Sequence, residues 1–100
     1  MWVTAFYTDE GVPKTGLSPT IRIRDLSNNS LIVTDAVMSE VGDGFYKYDF
    51  TLYDASKEYV IRCDGGATLN DYERYRPGVN DYVPADEISS RAEEVEGGEI

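Results

Sequence analysis

The stretch Gly42-Asp43-Gly44-Phe45-Tyr46-Lys47-Tyr48-Asp49-Phe50-Thr51-Leu52 constrains this chain more than any other. Its residues alternate. Tyr46, Tyr48, Phe50 and Leu52 fall on one side of an extended backbone, with Lys47, Asp49 and Thr51 on the other. Period-two alternation rich in aromatics is the pattern of a half-buried strand. After Asp54-Ala55-Ser56-Lys57, which has turn chemistry, Glu58 to Asp64 resumes the pattern, with Tyr59, Ile61 and Cys63 opposed to Arg62 and Asp64. Read together, residues 42 to 64 predict a β-hairpin, entered through Asp43-Gly44, two residues that tolerate a left-handed backbone.

The rest of the chain adds short strands. Trp2 to Thr8 alternates weakly, with aromatics on both faces, so its inward side is open. Residues 9 to 19 hold two prolines and two glycines and predict a loop crossing between sheets. Thr20 to Leu26 sends Ile21 and Ile23 inward and Arg22 and Arg24 outward. Ser27-Asn28-Asn29-Ser30 is a turn, Leu31 to Thr34 a third strand, and Ala36 to Val41 a short fourth. Past the Asp64-Gly65-Gly66 turn, Ala67 to Leu69 can pair briefly. Tyr72 to Tyr75 reads as a last edge strand, ended by Pro77-Gly78. Six or seven short strands with evenly spaced turns predict an all-β, antiparallel sandwich over residues 1–82.

Residues 83–100 read differently. Pro84 suits a first helical turn, Asp86 and Glu87 complement its dipole, and Ile88, Ala92 and Val95 form a thin apolar stripe. The expectation is an acidic amphipathic helical tail that lies on a partner, since such a helix is marginal alone. Of the net charge of −10, residues 84–100 contribute −5, six carboxylates against Arg91. A chain this acidic lacks the phosphate-neutralising footprint of a nucleic-acid binder. No apolar run is long enough to span a bilayer. Nor does the start resemble a signal peptide, and the single Cys63 fits a protein made in a reducing cytoplasm.

Catalytic chemistry has little to stand on. Without histidine, the commonest general base and metal ligand are missing, and triads of the Ser-His-Asp or Cys-His kind are excluded within the chain. No enzyme activity and no cofactor are expected. Asp43, Asp64, Asn70, Asp71, Asn80 and Asp81 sit in expected loops, where oxygen ligands suit calcium; Asp64, Asn70 and Asp71 are the candidates, weighed against Asx turns bonding their own backbone. Arg22, Arg24, Lys47 and Arg62 are expected to share the solvent faces of three strands. The plain reading pairs them across strands with Asp25 and Asp49; the sharper one makes them a positive patch that receives an acidic partner, such as another copy's tail. Cys63 reads as a small core residue. Candidate interface residues are Arg74 and Tyr75, from an arginine- and tyrosine-rich segment, with Tyr82, Ile88, Ala92 and Val95.

The glycine-rich corner, the Tyr46-Lys47-Tyr48-Asp49-Phe50 strand and the Tyr59-Val60-Ile61-Arg62 return resemble the penultimate hairpin of immunoglobulin-like sandwiches, as in filamin repeats and transthyretin-like regulatory domains of carboxypeptidases. There is no cysteine pair of the antibody type. Residues 1 to 76, through Thr20 to Asp25 and Arg62-Cys63-Asp64-Gly65-Gly66, also resemble small β-sandwich proteins encoded among the structural genes of tailed phages. That resemblance implies a virion component (head decoration, neck, or tail and baseplate accessory) binding copies of itself or other virion proteins. A calcium- or carbohydrate-binding sandwich module of a larger extracellular assembly is the alternative.

Overall fold

The computed structural model describes residues 1–80, so the helix expected over 84–95 lies outside the described residues, as do Asp81, Tyr82, Ile88, Ala92 and Val95. The described chain is built of antiparallel strands: β1 (Trp2–Phe6), β2 (Thr8–Asp9), β3 (Val12–Pro13), β4 (Thr20–Asp25), β5 (Ser30–Val37), β6 (Ser39–Gly42), β7 (Phe45–Asp49), β8 (Tyr59–Asp64) and β9 (Tyr75–Pro77), with one helical turn, α1 (Asp71–Arg74). They form a three-stranded sheet in the order β1-β7-β6, a four-stranded sheet in the order β5-β4-β8-β9, and the small hairpin β2-β3.

Both large sheets feed one core. Val3 and Ala5 lie on β1 and Tyr7 directly follows it; Tyr46 comes from β7; Ile21 and Ile23 come from β4, Val33 from β5 and Cys63 from β8, and all are buried in a single cluster with Met38, Phe50 and Leu69. The inward face of the first strand is thus Val3, Ala5 and Tyr7, leaving Trp2 and Phe6 outside. At β4 the expected alternation holds, with Ile21 and Ile23 in and Arg22 and Arg24 out.

The expected hairpin over 42–64 does not form. β7 pairs with β1 and β6, whereas β8 pairs with β4 and β9. The strand stops at Asp49, and the chain arches from one sheet to the other, leaving Leu52 exposed. Three rings seal the arch: Phe50 meets Tyr59 at 4.9 Å and Tyr53 at 5.9 Å, in edge-on contacts. Edge-on packing is a favoured aromatic geometry. An Asx turn shapes the tip, with Asp54 accepting from the Ser56 amide and hydroxyl. Asp43-Gly44 does make a tight turn, both residues at positive φ, but it joins β6 to β7.

Other elements shift by smaller amounts. The loop expected over 9–19 contains β2-β3, turned by Glu10-Gly11 at positive φ. Residues 67–69 form a turn and do not pair. In place of a strand over 72–75, α1 occupies Asp71–Arg74 and β9 begins at Tyr75. The reason is Glu73. Its buried carboxylate accepts hydrogen bonds from the Thr8 hydroxyl, the Glu10 amide (2.8 Å) and the Gly11 amide (3.0 Å), capping the distant β2-β3 turn. Within this helical turn Glu73 is the residue aimed inward.

Beyond Pro77 the chain changes sheets. Gly78 donates to the Ile61 carbonyl, and Val79 then exchanges both backbone hydrogen bonds with Thr4 of β1. Gly78 threads between Ile61 of one sheet and Val3 of the other. A methyl group there would overlap Ile61 Cγ2 and stand 2.8 Å from Val3 Cγ1. Gly78→Ala is therefore expected to destabilise the fold by about 2 kcal/mol or more through overpacking. Chemical denaturation measures it, and an unchanged midpoint would refute the close approach.

The Thr8 hydroxyl and the two turn amides hold the Glu73 carboxyl down to about 2. A carboxylate whose folded value lies below its unfolded value contributes stability above about pH 4.5, lost as pH falls through the folded value. Glu73→Gln turns an amide toward those donors and is expected to lower Tm by about 5–10 °C at pH 7. The gap between wild type and variant should close as pH drops from about 4.5 toward 2; a gap independent of pH would contradict this assignment.

Candidate functional site

The outward side of the four-stranded sheet brings Arg22, Arg24 and Arg62 together. Antiparallel pairing of β4 with β8 sets Arg22 directly opposite Arg62 and Arg24 opposite Val60. These four residues line a shallow depression of about 150 Å³, with Val60 half exposed. Like charges on opposed positions repel, so the sheet must manage them.

It does so on two flanks. On the β5 side, Thr34 and Asp35 oppose Arg22 as a bulge, and Asp35 takes a positive φ of 53°. Bulges re-aim side chains. Here Asp35 receives a fork from Arg22, at 2.7 Å from Nε and 3.0 Å from Nη2. The Arg22 guanidinium holds the Asp35 carboxyl below its ordinary range. On the β9 side, Arg74 grips Asp64 in a second fork, at 2.7 and 3.1 Å, and Asp64 also accepts from the Gly66 amide. That fork is the main reason the Asp64 carboxyl is lowered. The Tyr75 ring is in contact with two guanidiniums, Arg62 at 5.0 Å and Arg74 at 4.9 Å from its ring centre.

The middle is left positive. Arg62 has the Tyr75 ring, and Arg24 donates to the Asn29 carbonyl at 3.0 Å. Neither makes an ion pair with a carboxylate among the described residues.

The expected four-cation patch is corrected in two ways. Lys47 lies on β7, in the other sheet, with its ammonium 4.7 Å over the Trp2 ring. The expected carboxylate partners do not serve either. Asp25 faces inward, where it accepts from the Ser27 amide and hydroxyl and from Lys57, and Asp49 stands on β7. The three arginines keep to one sheet because they occupy alternate or opposed positions of neighbouring strands.

Arg74 and Tyr75, expected at an interface, both join this face. Of the calcium candidates, Asp64 is committed to Arg74, Asn70 donates to the Tyr72 hydroxyl and Glu73, and Asp71 is exposed in the first turn of α1. Among the described residues no group of three or more His, Cys, Asp or Glu side chains is placed to hold a metal ion. Sequence reading missed Asp35 and Val60 as members of the site. Nothing in the local pattern marks a bulge at Thr34-Asp35, whereas Val60 was legible as outward from the Tyr59-Ile61-Cys63 alternation.

Two reactive side chains lie inside the core instead of at the site. Burial pushes the Cys63 thiol up to about 12, and it raises the Tyr7 phenol as well. Comparison with family models, with curated proteins and with solved structures finds no match. The arginine face must therefore be read from its own geometry.

A buried thiol held protonated is inert until the core opens. Cys63 is expected to react with a thiol reagent at pH 8 at least about a thousandfold more slowly than an unfolded control. Labelling at the free-thiol rate would show that the β8 face is not closed.

Proposed function

We propose that this protein is a non-enzymatic structural module that assembles with other proteins through the outer face of its four-stranded sheet. The observation that carries this reading is the arginine-lined depression. Two guanidiniums without carboxylate partners among the described residues flank an exposed valine and adjoin a half-exposed tyrosine. Arginine and tyrosine around an apolar floor are the residues that dominate binding at protein interfaces. Forked guanidinium groups bind carboxylates in two-point contacts, so the surface suits an acidic segment of a partner.

The fold that presents this face is, in this reading, a sandwich of immunoglobulin-like kind. One core shared by two antiparallel sheets supports it. The strand order differs from the immunoglobulin constant type, because β4 stands between β5 and β8 instead of beside β1. The phage-like resemblance of residues 1 to 76 extends the proposal to a virion component that binds copies of itself or other virion proteins. Chemistry at the arginine face is the same whichever partner supplies the acids.

A decaglutamate peptide serves as the probe. The full chain is expected to bind it in low salt and to lose at least about tenfold in affinity in Arg24→Glu/Arg62→Glu. Binding should also weaken steeply between about 0.05 and 0.5 M salt. Equal binding by wild type and the double variant would remove the arginine face from the function, and recovery of peptides from purified virus particles by mass spectrometry tests the setting.

A further inference from the structure

We propose that the core binds a small monovalent anion, of halide size, between the Tyr7 hydroxyl and Nε of Arg76. Both atoms are buried and neither has a hydrogen-bond partner. Buried polar groups are seldom left so, because each has given up its hydration for nothing. Both can donate, and what two neighbouring donors share is an acceptor.

The fold brings them together from different sheets. Arg76 stands opposite Cys63 in the β8–β9 register, and the burial of Cys63 marks that side as the core face. Tyr7, directly after β1, is fully buried and lies against the end of β8: a methyl group on Gly65 would stand 2.6 Å from its Cε1. Gly65 is two residues past Cys63, and its amide bonds the Arg74 carbonyl, two residues before Arg76. Tyr7 and Arg76 therefore meet at one end of β8. Arg76 acts electrostatically on the Tyr7 phenol without a hydrogen bond between them.

Charge decides the kind of acceptor. Arg76 makes no ion pair with a carboxylate among the described residues. Asp64 is committed to the Arg74 fork. Burial holds Tyr7 and Cys63 protonated, so neither is an anion. The Tyr46 hydroxyl, whose ring meets Tyr7 at 5.7 Å, is bonded to the Lys14 carbonyl and the Leu17 amide. A guanidinium partly withdrawn from water is costly without a counter-charge, and water would satisfy the donors but not the charge. The closed surroundings of both donor atoms restrict the ligand to a small ion. Arg76 as a whole is only half-buried, on the edge strand β9, and its side chain marks the way in. Once bound, the anion ties β9 to the chain just past β1, joining the two sheets beside the Gly78 crossing.

Chloride is the probe. Thermal midpoints of the full chain are compared in sodium chloride and in sodium gluconate, each at about 0.2 M so that screening is the same. Wild type is expected to melt about 3 °C higher in chloride, as a ligand bound only to the native state requires. It should also broaden the chloride NMR line. Tyr7→Phe keeps the ring and removes only the hydroxyl, and it is expected to lose most of both effects, as is Arg76→Gln. Arg24→Glu/Arg62→Glu should keep them, since the arginine face lies on the other side of the sheet. Equal midpoints and an unbroadened line in wild type would overturn the inference and leave the two donors to water. So would effects that Tyr7→Phe retains in full, and that variant decides the matter even if Arg76→Gln does not fold. Effects lost in Arg24→Glu/Arg62→Glu would also overturn it, by moving the chloride to the arginine face.

Discussion

The pairing of the two large sheets depends on two of the points where the chain passes from one sheet to the other, each a point where a simpler protein would turn back. Between β5 and β6 a single residue, the buried Met38, carries an extended segment from the four-stranded sheet to the three-stranded one, its amide held by the Pro19 carbonyl. After β7 the arch that starts at Phe50 returns it. Each crossing is pinned at one large apolar side chain in the core, Met38 in the first and Phe50 in the second. They put sequence neighbours β7 and β8 in opposite layers, and they free β8 to lie beside β4. The arginine face exists only because of that second pairing.

On that face the charges are organised against their own repulsion. Arg22 and Arg62 are forced together by register, and each outer flank contributes one carboxylate fork, Asp35 on one side and Asp64 on the other. Exposed pairs of this kind contribute little to stability. Their effect is geometric: they hold Arg22 and Arg74 still, and they leave the positive excess concentrated on Arg24 and Arg62. Tyr75, in contact with the guanidiniums of Arg62 and Arg74, stands beside one end of the depression. A preorganised, locally positive spot on a strongly acidic protein is a place where opposite charge is selected by position and not by bulk attraction.

How far this was legible in the sequence depends on whether the information was local. The side facing the core was readable at Ile21, Ile23, Tyr59, Ile61 and Cys63, since alternation is a property of a strand by itself. The Asp43-Gly44 turn was readable for the same reason, though it joins other strands than expected. What alternation does not carry is the identity of the neighbour. Residues 45–49 and 59–64 each read correctly as strands and wrongly as partners, and Lys47 was placed with the arginines on that error. Glu73 illustrates the other limit. Its partners Thr8, Glu10 and Gly11 are more than sixty positions away, so nothing around Tyr72 to Tyr75 announces a helical turn. Outward placement of Arg22, Arg24 and Arg62 was available from the start; their shared depression required β4 and β8 to meet.

The bridge between Thr4 and Val79 has a further consequence, for how the chain is made. Seventy-five residues separate its ends, and the β1–β7 and β4–β8 pairings also span long stretches. Topologies dominated by such distant closures fold slowly. On a ribosome, β1 waits for β7 and then, until Val79 has emerged, keeps one edge open to any other extended chain nearby. The interval between synthesis of the first strand and arrival of the last one is when this protein is most exposed to mispairing, and Gly78, the residue that lets the closing segment slip between the layers, sets how cleanly that interval ends.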